Sequence, residues 1–108
     1  MPDVRRPRGK KPDSKQRKEA AKTLAIAALT FIAAEPERLG QFLAVTGIAP
    51  RSIREASREP NFLAGVLDHL AGDERLLLAF AEETATDPAD VIRARDVLSG
   101  RHWERELP

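Results

Sequence analysis

The sequence predicts an all-α protein: a compact five- or six-helix bundle carrying a disordered basic N-terminal arm. Three observations lead there. No stretch alternates apolar and polar residues with the period of two that a half-buried strand requires. Pro36, Pro50, Pro60 and Pro88 each stand where a helix should begin, a position at which a missing N–H costs nothing. Gly47, Gly72 and Gly100 each stand where a helix should end, at a left-handed C-cap.

Residues 1–12 hold Pro2, Pro7, Gly9 and Pro12 among charges, with little apolar surface to bury, so burial cannot offset the entropy of ordering them. The expected organisation is a disordered arm over 1–12, a helical domain over 13–99 and a tail over 100–108. Asp13 and Gln16 have the spacing of a capping box. The first helix then runs to about Ala34, and its later turns, with Leu24, Ile26, Leu29, Phe31 and Ile32, are apolar on most sides. That pattern predicts a central helix wrapped by the others. Further helices are expected over 36–46, 50–58, 61–71, 74–84 and 88–99, the last two capped by Asp73 and Asp87. Phe42, Phe62, Leu67 and Phe80 are expected in the core. Gly40 and Gly65 fall inside helices, where Gly costs roughly 1 kcal/mol against Ala; close approach of a neighbouring helix is the expected reason for them.

A weak repeat supports the helix boundaries. Leu39, Phe42, Thr46, Pro50, Ile53 and Ala56 match Leu77, Phe80, Thr84, Pro88, Val91 and Ala94 at one constant offset. Two copies are too few for a solenoid, so the pattern reads as a duplicated helical hairpin or as shared capping chemistry.

At 108 residues the chain suffices for one domain. The net charge of +1 hides an asymmetry. Residues 1–22 hold nine basic against three acidic residues, a balance of +6, and the rest of the chain is at −5. The absence of Cys excludes disulfides and thiolate chemistry and fits a cytoplasmic protein. The basic stretch before the apolar run Leu24–Ala34 imitates a secretory leader. It is too long for one, and its removal would strip the longest apolar helix from a small core, so export is not expected. The run is also well short of the ~20 residues that span a bilayer, so no membrane association is expected.

The run AAEPERLGQFLAVTGIAPRSIREA, followed by PNFLAGVLDHLAGDERLLLAFAEE and DPADVIRAR, resembles a family of short alphaproteobacterial proteins known as a domain of unknown function, number 3572. The resemblance covers about residues 20–98. It implies a compact all-helical bundle in a bacterial cytoplasm, and it brings no catalytic residue with it.

Several groups of residues compete for a functional role. Gly47-Ile48-Ala49-Pro50 with Ile53 approximates the turn of a helix-turn-helix, whose recognition helix would span 50–58. Arg51, Arg54 and Arg58 would then share one face, available to phosphates or base edges. Against this stand Leu43, where the motif needs a small residue for close helix crossing, and the interleaved Glu55 and Glu59. The arm offers Arg5, Arg6, Arg8, Lys10 and Lys11 as candidate polyanion-binding residues, since charge density alone attracts nucleic acid. The arm holds no aromatic residue on which single-stranded bases would stack. His69 and Asp73 have ligand types at i, i+4 but lack a third partner, so no metal is expected. Trp103, in the charged tail, either docks back on the bundle or anchors a partner, a role in which Trp is enriched. With no Cys, no Tyr, two scattered His and no Gly-rich phosphate loop, neither an enzyme nor a cofactor is expected. The leading functional expectation is a non-enzymatic module for an unknown protein partner. The alternative is a nucleic-acid-associated protein using the basic arm and the Arg51/Arg54/Arg58 face.

Overall fold

The computed structural model describes residues 14–100. Those residues form six α-helices and one 3-10 turn, with no strand among them: α1 Ser14–Ala33, α2 Pro36–Thr46, the 3-10 turn Pro50–Ser52, α3 Ile53–Ala56, α4 Pro60–Ala71, α5 Glu74–Thr84 and α6 Pro88–Ser99. The arm with Arg5, Arg6, Arg8, Lys10 and Lys11, the Asp13 half of the capping box, and the tail with His102 and Trp103 lie outside the described residues.

All four expected prolines open their elements at the first position. Asp73 accepts a hydrogen bond from the N–H of Leu76 at 3.2 Å, and Asp87 accepts one from Ala89 at 2.9 Å. Each thereby satisfies one of the free N–H groups of a helix start. Gly47 and Gly100 are left-handed, with φ of 73° and 84°.

Gly72 departs from expectation. It is right-handed, with φ −80°, and its N–H still bonds back to the carbonyl of Asp68. Asp73 caps the next helix immediately, so the chain needs no left-handed exit between α4 and α5. The left-handed residue the sequence did not signal is Ala85, with φ 55° at the end of α5. There the N–H of Thr86 reaches the carbonyl of Ala81 at 2.9 Å, closing the outer loop of a Schellman motif.

The core is built on α4, α6 and α1, which pack most extensively on one another. α4 contributes Leu63, Ala64, Val66, Leu67 and Leu70, all buried. α6 adds Val91, Ala94 and Leu98. Phe42 and Phe80 bring the outer helices α2 and α5 into the same core and are fully buried. Phe80 meets Phe31 edge-on with ring centroids 5.4 Å apart, and Phe42 meets Phe62 at 5.9 Å in the same way. Both are favoured geometries for the aromatic quadrupole. Phe62 itself is only half-buried, because it sits in the first turn of α4 at the edge of the bundle. Arg38 lies over the outer face of Phe31, its guanidinium carbon 4.1 Å from the ring centroid. Arg95 joins α6 to α4: it donates to Asp96, only 13% exposed, and pairs with Asp68, each at 3.3 Å.

Two expectations about helix surfaces change. α1 is not wrapped on all sides. Ala21, Ala25, Ala28, Leu29, Phe31 and Ile32 are buried, whereas Ile26, Ala27, Thr30 and Ala33 are exposed. An alanine-rich run looks apolar all round, yet an exposed Ala costs a helix nothing. Gly40 and Gly65 do not mark close helix approach either: a Cβ at either position would have no neighbour within 4 Å. Gly65→Ala is therefore expected to stabilise the fold by about 0.5–1 kcal/mol by relieving the entropy cost of a mid-helix glycine. Ala85→Gly is expected to stabilise by about 1 kcal/mol from the opposite side, by relieving a left-handed L-residue. Thermal or urea unfolding of the two single variants checks both; a destabilised Gly65→Ala would show that something packs on that notch.

Candidate partner-binding groove

The repeat explains how the candidate site arises. In its first half both copies behave alike. Thr46 bonds back to the carbonyl of Phe42 at 2.9 Å, and Thr84 to that of Phe80 at 2.7 Å. In the second half they diverge. Pro88 starts a helix of 12 residues with Val91 and Ala94 buried. Pro50 starts only a 3-10 turn followed by the four-residue α3, on which Ile53 and Ala56 are half-buried. The physical reason lies downstream. Pro60 disfavours helical geometry at Glu59, and Ser57 turns its hydroxyl onto the carbonyl of Arg54 at 2.7 Å. The expected helix over 50–58 is thus a short mixed 3-10 and α helix that ends in a turn at the extended Glu59 and forms a corner ahead of Pro60.

That corner faces the open side of α1. Between them runs a groove of roughly 570 Å3, with Ile26 and Leu29 of α1 on one side and Pro50 and Ile53 on the other. Arg51 and Arg54 also line it. Ile26 is 41% exposed, an uncovered large apolar side chain in a bundle that buries most of its others. Arg51, Arg54 and Arg58 are all exposed and form no ion pair among the described residues. The structure therefore brings two of the three predicted arginines to one apolar groove and leaves Arg58 outside it. The three arginines stand on one contiguous run of 3-10, α and turn geometry over residues 50–58, less regular than a uniform α-helix. The contribution of Ile26 escaped the sequence reading, which did not single it out as exposed. A signal was present, since Thr23, Ala27 and Thr30 flank Ile26 at helical spacing and are a mild, uncharged solvent face.

The remaining candidates do not assemble. His69 packs edge-on to Phe42 at 5.2 Å in the last turn of α4, and the Asp73 carboxylate is committed to capping α5. Among the described residues no group of three or more His, Asp or Glu stands where a metal ion would be held. No helix among them is long and apolar enough to cross a membrane.

No curated protein and no solved structure matches the chain. A family model does, over residues 18–101, a span that takes in α1 beyond its first four residues, all of α2 to α6 and both sides of the groove. The chain belongs to the family described as proteins of unknown function, DUF3572.

Proposed function

We propose that the protein is a non-enzymatic interaction module acting in a bacterial cytoplasm. In this reading its α1–corner groove receives an apolar side chain carried on an acidic segment of a protein partner. Exposed Ile26 on the groove floor carries the reading. Full burial of such a side chain is worth about 1.5–3 kcal/mol, and covering the 41% of Ile26 still exposed gains the corresponding fraction of it. Arg51 and Arg54 give the rim a single sign of charge, complementary to carboxylates, and Arg is enriched at interface hot spots. The lack of Cys and Tyr and the commitment of Asp73 to a cap support a role without catalysis.

A second reading draws on one specific observation. Arg51, Arg54 and Arg58 are exposed and form no ion pair among the described residues, and they share the sign of Arg5, Arg6, Arg8, Lys10 and Lys11. Such a distribution favours a polyanion, with nucleic acid the commonest in a cell.

A photo-crosslinking amino acid placed at position 26, in cells that naturally make the protein, tests the leading reading. The expected result is a light-dependent adduct with protein that disappears when Arg51→Glu and Arg54→Glu are combined. The same probe at position 78, exposed on α5 away from the groove, should give none. Nuclease-sensitive adducts at position 26, or no adduct there, would overturn the proposal.

A further inference from the structure

A second groove lies on the opposite half of α1. It runs between the early turns of α1 and α6, has a volume of roughly 430 Å3, and is lined on its apolar side by Ala20, Leu24, Ala94 and Val97. We infer that this groove is the docking site of the chain's own C-terminal segment, with the indole of Trp103 as its anchor.

Three observations select this occupant. The first is reach. Trp103 follows Gly100 by three residues, which extend to about 10 Å. Val97 and Ala94 lie one and two turns back along α6, about 4.5 and 9 Å from Gly100 along the helix axis. The second is the helix end. Gly100, left-handed at φ 84°, donates its N–H to the carbonyl of Val97 at 3.3 Å, a C-cap that stops α6 against a residue lining the groove. The third is chemistry. Alanines on both walls leave room for a flat ring, and the groove falls in the volume range that buries small aromatic groups. At its rim Arg17 is half-buried and has no ion-pair partner among the described residues.

The chain has one Trp and no Tyr, so its near-ultraviolet-excited emission reports Trp103 alone. In the full-length protein the emission is expected to be blue-shifted, shielded from acrylamide and independent of protein concentration. Ala20→Arg, at an exposed position on the groove wall, should move it to the emission of a free indole and raise acrylamide quenching several-fold, with far-UV circular dichroism unchanged. Leu24→Glu, on the same wall, should do the same and serves if Ala20→Arg alters the fold. Emission of a hydrated indole in the unmodified protein would overturn the inference. So would a blue shift that both variants leave in place, since the indole would then sit elsewhere. A blue shift that fades on dilution would assign the groove to the tail of a second copy and contradict docking within one chain.

Discussion

Phe80→Ala is expected to destabilise the bundle by about 3–5 kcal/mol, the range for removing a fully buried aromatic side chain and leaving a cavity. Phe80 has no exposed surface, and its edge meets the ring of Phe31, which Arg38 covers on the outside. The truncation therefore empties the place where α5 enters the core and removes an aromatic pair worth about 0.5–1.5 kcal/mol beyond its area. A domain of this size has about 5–15 kcal/mol of stability in total, so the loss is a large fraction of it. Urea denaturation followed by circular dichroism measures it. A loss well under 1 kcal/mol would mean that Phe80 does not seat in the core as described.

Leu67→Ala comes next, with an expected cost of about 2–5 kcal/mol. Leu67 is fully buried near the middle of α4, the helix that packs on α1, α5 and α6. α4 is enclosed by its neighbours and Leu67 has no exposed surface, which places the cost towards the upper part of the range. Val45→Ala and Leu78→Ala provide the contrast. Their side chains are 71% and 51% exposed, and each change should stay within about 0.5 kcal/mol. Equal losses at Leu67 and Leu78 would contradict the assignment of faces.

Helix boundaries were legible in the sequence because backbone chemistry is local. A proline at the first position, an aspartate cap or a left-handed glycine each states its own requirement, and Pro36, Asp73, Asp87, Gly47 and Gly100 all read correctly. Gly72 and Ala85 did not, because there the neighbouring elements set the conformation, and Ala85 adopts it without the residue type that advertises it. Burial was legible for large side chains, as at Phe42, Leu67 and Phe80, and illegible where alanine blurs the helical faces of α1. The groove depends on that blurred face and on the mixed 3-10 and α geometry of the short helix that Pro50 starts. Both are tertiary outcomes. Of the candidate site, the sequence supplied Arg51 and Arg54 on a short Pro-started helix, with DNA reading as the alternative to a solvated corner, and it did not single out Ile26 as exposed.

The central claim is that the Arg51/Arg54 groove serves a protein partner and does not read nucleic acid. A fluorescence-anisotropy titration of mixed-sequence DNA at two salt concentrations, using intact protein, protein lacking residues 1–12 and Arg54→Ala, tests it most directly. The arm deletion removes Arg5, Arg6, Arg8, Lys10 and Lys11 against Asp3 and no residue of the described core. The account predicts weak binding, with Kd about 10⁻⁴ M or weaker at physiological salt. That binding should weaken further as salt rises, vanish with the arm and ignore Arg54→Ala. Tight binding that survives loss of the arm and disappears with Arg54→Ala would contradict it.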